Sequence, residues 1–293
     1  MSPLSKALTP AQKARKVKRI TSNILVWILA LFVVFLTVFP YFWMVLTSFK
    51  DRLEAMAIEF RVFPEVFHFD SYYALGDQDP SFARAMLNTV IIEIAVIPIG
   101  TFVTALAAFA FAKMRLPHKT FWLLFLMSGM MVPYAALMLP QYRVFSQIGW
   151  VGTPLPLIIP GLFGNISMMF FFIQYMKSIP SALIEAGRVD GASWMRIFVQ
   201  IMLPSIFPAI AAQVVFWFLG IWNDYFAPSI YLSGSSWVTL QALLALINDN
   251  MQRMPDYPLV MAGSVISSIP IIIIYIVCQK YFVQSLAASG MKE

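Results

Sequence analysis

The stretch Ile24–Leu46, ILVWILALFVVFLTVFPYFWMVL, carries no charged side chain. A helix rises about 1.5 Å per residue, so about 20 apolar residues cross a hydrocarbon core. This run is long enough to span one. Five further apolar runs follow it: roughly Asn88–Ala112 and Thr120–Leu139, bounded like the first by charge or proline, then Leu155–Met176, Ser205–Leu232 and Val260–Phe282. Over the 293 residues, 60% belong to the hydrophobic set and 12% are charged, about half the share usual in a soluble domain. These features exclude a soluble globular domain and predict an all-α integral membrane protein with six transmembrane helices. The first run exceeds a signal-peptide core, and no small-x-small cleavage site follows it, so it is expected to remain as a helix.

The basic residues set the orientation. One side carries Lys6, Lys13, Arg15, Lys16, Lys18 and Arg19 of the N-terminal tail, Lys113, Arg115 and Lys119, then Lys177, Arg188 and Arg196, and finally Lys280 and Lys292. The other holds Lys50, Arg52, Arg61, Arg84, Arg143 and Arg253, outnumbered there by acids such as Asp51, Glu54, Glu59 and Glu65. With the basic side cytoplasmic, both termini are inside and six spans close the count. The net charge of +6 is then a topology signal, and it needs no nucleic-acid partner. The expected divisions are a basic tail 1–23, a transmembrane domain 24–282 with core helices 88–282, and a C-terminal tail 283–293. The domain includes a cytoplasmic loop 177–204 and an outer loop 233–258.

Gly100, Thr104 and Ala108 recur every fourth residue and form a stripe of small side chains, a surface that lets helix backbones approach in lipid. Pro133, Pro140, Pro160, Gly161 and Gly164 interrupt the third and fourth runs, with polar Asn165 and Ser167 beside them. Broken helices are tolerated in membranes where neighbours or a water-filled cavity satisfy the freed backbone. Glu93 and Asp224 fall inside spans, where an ionisable group is costly and marks a candidate solute path. Both also lie towards the outer ends, so a headgroup location stands as the alternative. Asn165, Trp217, Trp222, Asn223 and Tyr225 could add stacking and hydrogen bonds to such a path. His68 and His118 lie in loops on opposite sides, which rules out a shared metal site. No HExxH, GxSxG or Walker A pattern occurs, so ATP used by this protein is expected to be bound elsewhere.

Between the fourth and fifth runs the chain reads KSIPSALIEAGRVDGASW, Lys177–Trp194. Ser178 as a cap and Pro180 as an early position predict a short helix, Gly191 a left-handed stop, and Ser193 the cap of a second helix reaching Leu203-Pro204. Ala182, Ala186 and Val189 form a small apolar face beside Glu185 and Arg188. Such a face suits docking into a groove on a partner, and an amphipathic linker lying on the membrane is the plainer alternative.

Glu185-Ala186-Gly187, then three residues, Gly191, then nine residues, Ile201-Met202-Leu203-Pro204 resembles the EAA motif of ABC importer permeases. Gly187 replaces the motif's second alanine and is expected to loosen the helix by about 1 kcal/mol. Asn88-Thr89, Gly149–Thr153, Asp190–Ser193, Trp222-Asn223-Asp224 and Gln279–Val283 look like the carbohydrate-uptake branch, especially the smaller maltose-type permease subunit. The resemblance implies a type I importer permease in the cell membrane of a prokaryote. It also implies a second homologous permease, two ATPase subunits that use ATP and Mg, and an extracytoplasmic solute-binding protein. The chain itself would be a non-catalytic subunit that binds no cofactor or metal. By the same resemblance Glu185, Ala186, Gly187, Asp190, Gly191, Ile201, Leu203 and Pro204 form the ATPase-coupling element, loop 233–258 reaches the binding protein, and the C-terminal tail touches the ATPases. A neutral oligosaccharide is the expected solute. A permease for glycerol phosphate or another polyol is the alternative, then a secondary carrier, although no inverted repeat is evident. An intramembrane enzyme is weaker still, because no nucleophile, base or metal cluster converges within the spans.

Overall fold

Every regular element is helical among the residues described by the computed structural model, 10–59, 61–250 and 256–290. Lys6, Arg253 and Met291–Glu293 of the expected tail lie outside them. The first helix, α1 (Pro10–Thr47), packs on the last one and leaves Ile24–Leu36 largely exposed for lipid. Short helices α2 (Arg52–Ala55) and α3 (Asp70–Ala74) lead to α4 (Phe82–Lys113), which is about 48 Å long at 1.5 Å per residue. It starts at Phe82 rather than at Asn88. Ser81 caps it by accepting from the Arg84 N–H at 3.4 Å, and Phe82 and Ala85 are already buried.

Among the described residues four helices are long and apolar enough to cross a membrane, and two bent pairs bring the number to six if each pair is one span. The third expected span is one of these pairs, α5 (Lys119–Gly129) and α6 (Tyr134–Gln147), bent by 86°. Pro133 lacks an N–H and disfavours helix at Val132, which accounts for the break. The fourth is α7 (Leu155–Leu162) and α8 (Ile166–Ser178), parted at Phe163–Asn165. After α9 (Ala182–Val189), the short α10 (Trp194–Ile197) runs through a π-helical turn, Phe198–Met202, into α11 (Leu203–Ser205). A 77° bend there, flanked by Pro204 and Pro208, opens α12 (Phe207–Trp222).

The expected span Ser205–Leu232 is therefore not one helix. Asn223 closes α12 by donating from Nδ2 to the Leu219 carbonyl at 2.9 Å. Asp224 Oδ1 opens α13 (Phe226–Tyr231) by accepting from the N–H groups of Phe226 at 3.0 Å and Ala227 at 3.2 Å. The expected outer loop is another departure, for it contains α14 (Leu240–Asn250). Leu240, Leu243, Leu244 and Ile247 recur at helical spacing and are buried in the core shared by α4, α12 and α15 (Tyr257–Gly290). The last helix continues past the expected end at Phe282 to Gly290.

α4 is the axis of the bundle, packed against α7, α8, α12 and α14. Its small-residue stripe meets the break between α7 and α8. Thr104 Oγ1 donates to the Gly100 carbonyl at 2.6 Å and accepts from the Asn165 N–H at 2.9 Å. Asn165 Oδ1 in turn accepts from the Met168 N–H at 3.0 Å, which caps α8. A Cβ on Gly100 would collide with the Trp217 ring and lie 2.5 Å from the Gly161 carbonyl oxygen. Alanine gains up to about 1 kcal/mol over glycine in a helix, whereas overpacking costs about 1–3 kcal/mol, more when backbone must shift. The collision therefore wins. Gly100→Val is expected to lower the thermal midpoint of the detergent-solubilised protein by several degrees or prevent its accumulation. Gly129→Ala, where a Cβ meets nothing within 4 Å, is expected to leave the midpoint unchanged or raise it.

Candidate functional site

At one end of α4 the chain builds a rigid surface element from α8 to α11. Ser178 ends α8, its hydroxyl donating to the Tyr175 carbonyl at 2.7 Å, so it does not cap α9 as expected. Lys113, at the end of α4, donates from Nζ to the Ile179 carbonyl at 2.6 Å. α9 then starts at Ala182 and stops where expected. Gly191 adopts φ +76°, and the Ala192 N–H reaches back to the Gly187 carbonyl at 2.9 Å, the six-to-one bond of a Schellman stop. Ser193 Oγ accepts from the Arg196 N–H at 3.3 Å and caps α10.

Burial sorts the residues of this element. Ile184 and Gly187 face inward, and a Cβ on Gly187 would stand 3.1 Å from Ile201 Cδ1 and 3.3 Å from Ile197 Cγ1. Ile197, Phe198 and Met202 are fully buried in a core with Phe109, Phe172, Ile173 and Met176. Outward stand Ala182, Leu183, Glu185, Ala186, Val189 and Asp190, with Val189 87% exposed. Leu203 and Pro204 sit at the 77° bend. Arg188 lies over the Trp194 ring at 4.9 Å, a cation–π contact. Beside α9 runs a groove of about 620 Å³ whose walls include Lys113, Arg115, Glu185, Arg188 and Trp194.

The residues expected on a solute path are dispersed. Trp217 and Asp224 come together on a cavity of about 260 Å³ between α4, α7, α12 and α13, with Ile92, Leu157 and Thr239 in the same wall. Trp217, Gly220 and Ile221 recur at three- and four-residue spacing, so the cavity lies along one face of α12, with Asp224 just past that helix's end. Glu93 lies next to Ile92 on α4 but outside this wall. It is 5% exposed, and its Oε1 has no hydrogen-bond partner among the described residues. Asn165 caps α8. Trp222 is 1% exposed, stacks on Phe218 and donates from Nε1 to the Ser267 carbonyl at 3.0 Å, so it ties α12 to α15. Asn223 and Tyr225 are exposed at the junction of α12 and α13. No group of three or more His, Cys, Asp or Glu among the described residues is placed to hold a metal ion.

Two functional candidates escape a reading of the sequence. Lys113 reads there only as one basic residue of a cytoplasmic loop, although a cation at a helix C-terminus is a known partner for free carbonyls. Thr239 gives no sequence signal. It lies in the segment held by Asn88 and Thr89: Asn88 Nδ2 donates to the carbonyls of Ser236 at 2.9 Å and Val238 at 3.0 Å, and Thr89 Oγ1 accepts from the Leu240 N–H at 3.0 Å.

Known proteins share this architecture. The chain matches the family described as binding-protein-dependent transport system inner membrane component over residues 11–288. It is 30% identical to the arabinooligosaccharides transport system permease protein AraQ of Halalkalibacterium halodurans over 280 residues, 94% of this chain and 99% of that one. It is 27% identical to the lactose transport system permease protein LacG of Rhizobium radiobacter, covering 87% of this chain and 91% of the relative. Identity to the diacetylchitobiose uptake system permease protein NgcG of Streptomyces coelicolor is also 27%, over 86% and 83% of the two chains. The fold is similar to that of a bacterial ABC transporter involved in the import of the acidic polysaccharide alginate, with a TM-score of 0.75 at 21% identity over 95% of this chain and 100% of that one. A match over nearly the whole length, on a helical scaffold with up to six spans, establishes that the chain belongs to the family of inner membrane components of binding-protein-dependent transport systems, and that it is a multi-pass membrane protein.

Proposed function

We propose that the protein is the permease subunit of an ATP-binding-cassette importer for a neutral carbohydrate, an oligosaccharide, delivered by an extracytoplasmic binding protein. It forms the path with a second, homologous permease, and two separate ATPase subunits bind and hydrolyse ATP with Mg. The observation that carries this reading is the outward face of α9. Glu185 and Ala186 stand exposed there beside Ala182 and Val189, on a helix whose other face is seated in the protein's hydrophobic core. That face has the shape and chemistry of a knob for a partner's cleft.

The charge distribution supports an orientation with α9 in the cytoplasm. Lys113, Arg115, Lys177, Arg188 and Arg196 cluster at the α9 end of α4, while Asp51, Glu54, Glu59 and Glu65 lie towards the end near α2 and α3. On this reading both termini are cytoplasmic. The carbohydrate reading draws on relatives that carry arabinooligosaccharides, lactose and diacetylchitobiose in their names. A phosphorylated polyol fits less well, because no Lys, Arg or His among the described residues lines the cavity that holds Trp217 and Asp224.

Coupling follows from mechanical continuity. Movement of the ATPase pair displaces α9. Because Gly187 rests on Ile197 and Ile201, and Lys113 holds Ile179, α9 carries α10, α8 and the end of α4 with it. The broken spans then tilt between inward- and outward-facing arrangements.

Tagged protein purified from native membranes is expected to bring down an ATPase subunit and a second permease; purification alone, with ion-driven exchange, identifies a secondary carrier instead. Glu185→Lys is expected to insert normally yet lose sugar uptake, because it places a cation where the partner receives a carboxylate. Sugar uptake at the wild-type rate in that variant would remove Glu185 from the coupling role. Lys113→Met deletes a charge-assisted hydrogen bond of a kind worth about 1.5–3 kcal/mol. The reconstituted complex is then expected to import severalfold fewer sugar molecules per ATP hydrolysed, measured by parallel uptake and phosphate release, with Lys113→Arg retaining most of the coupling.

A further inference from the structure

We infer that the groove between the end of α4 and α9 seats the headgroup of an anionic phospholipid from the cytoplasmic leaflet, so that lipid ties the outward helix to the membrane. The inference rests on the orientation given above, with α9 in the cytoplasm. It adds an occupant that is neither the transported solute nor the ATPase. The groove measures about 620 Å³, within the roughly 300–1,000 Å³ typical of small-molecule sites.

Charge is the first argument. Lys113, Arg115 and Arg188 line the groove against one carboxylate, Glu185. None of the three cations joins an ion pair among the described residues. Lys113 spends one N–H on the Ile179 carbonyl and keeps two. Arg188 meets the face of Trp194, and Arg115 stands exposed. The Ser181 hydroxyl, also in the wall, caps no N–H of α9. Three cations around one space repel one another, and a phosphodiester brings both the opposite charge and the acceptor oxygens that pair them.

Depth is the second argument. After Glu93 the next charged residue along α4 is Lys113. The uncharged stretch between them, Ile94–Ala112, is about 28 Å long at 1.5 Å per residue, close to the roughly 30 Å of a hydrocarbon core. Lys113 therefore emerges at headgroup level, and Trp194 beside it has the place of an interfacial aromatic. Basic pockets at this level between helices suit anionic headgroups. The wall also carries Met114, Ile184 and the exposed Val189. A free phosphate leaves that apolar surface in water, whereas the glycerol backbone and first methylenes of a lipid cover it. Beyond the loop after α4, α5 exposes Phe121, Trp122 and Phe125 by 50–60%, an apolar strip for the chains. A headgroup that bridges Arg115 and Arg188 resists movement of α9 away from the end of α4, so lipid charge acts on the element that the proposed coupling uses.

The test uses the importer assembled with its native partners, reconstituted in phosphatidylcholine vesicles with a small fraction of phosphatidylglycerol bearing a photoreactive acyl chain. Cross-linked peptides are mapped by mass spectrometry. Wild-type importer is expected to take label in segments 113–125 and 181–194. Arg115→Gln is expected to lower that labelling about fivefold, the factor that goes with one cation near an anionic membrane surface, and Arg115→Lys to keep most of it. Arg84→Gln removes a cation 5.9 Å over the Trp237 ring at the opposite end of α4, and is expected to leave the labelling of these segments unchanged. Added inorganic phosphate is expected to displace nothing; displacement by it gives the groove to a soluble anion and overturns the lipid. The wild-type labelling and the phosphate competition need no variant, so they decide even where Arg115→Gln does not assemble. Orientation is read separately, on Arg115→Cys in a Cys278→Ser background. Its reaction with a membrane-impermeant maleimide from outside intact cells overturns the cytoplasmic placement of α9 and the site with it. Without that reaction, wild-type importer that takes no label in these segments, or equal labelling of wild type and Arg115→Gln, overturns the site alone.

Discussion

One hydroxyl and one missing methyl on α4 make the broken fourth span tolerable. In hydrocarbon an unsatisfied backbone group costs several kcal/mol, so a helix interrupted at Phe163–Asn165 needs a donor or acceptor from elsewhere. Thr104 Oγ1 receives the Asn165 N–H, and Asn165 Oδ1 receives that of Met168. Those bonds require α4 and the break to lie almost in backbone contact, which Gly100 permits and any side chain there would prevent. Packing and hydrogen bonding thus select the same stripe of small residues. As a result α7 and α8 cannot slide along α4 independently.

That constraint reaches the surface. α8 leads into the outward helix α9 through Ile179, whose carbonyl Lys113 holds to the end of α4. The motif residues have divided tasks along this path. Gly191 makes the turn, Gly187 and Ile201 form a packing pair across it, and Leu203-Pro204 mark the bend before α12. Spacing between Gly187 and Ile201 is set by the turn and by the π-helical stretch Phe198–Met202, which brings Ile201 back under α9. A fixed spacing in the sequence therefore corresponds to a fixed contact. Glu185 and Ala186, in contrast, contribute no inward packing and stand exposed, the face that the proposed coupling uses.

Hydropathy made the spans legible because each run had to be long enough for lipid. Where a run could pack on protein instead, the signal weakened. Leu240–Asn250 is too short to cross a membrane and lies between two spans, so it reads as loop, although its leucines already have helical spacing. The bend between α5 and α6 was announced by Pro133, but its 86° angle depends on what the flanking helices pack against. Asp224 and Trp222 show the limit most sharply. They sit two residues apart in one polar-aromatic patch and read alike, yet one faces a cavity and the other fills the core against Ser267. Rotation along a helix near its end separates them, and the chain breaks just there, so no periodicity extends far enough to assign the faces.

Gly187 shows how packing alters a judgement made from propensity alone. As a helix residue it costs about 1 kcal/mol against the alanine that the motif prefers. In place, however, it lies against Ile197 and Ile201, where a Cβ would come to 3.1 Å and force the isoleucine tips aside. The glycine lets α9 sit closer to α10 than an alanine would with the same two isoleucines. Tighter seating offsets weaker propensity, and it acts on what the proposed mechanism needs, a helix that moves with its base. The departure from the motif is therefore a matched change in thickness at one contact, and it leaves the exposed face bearing Glu185 untouched.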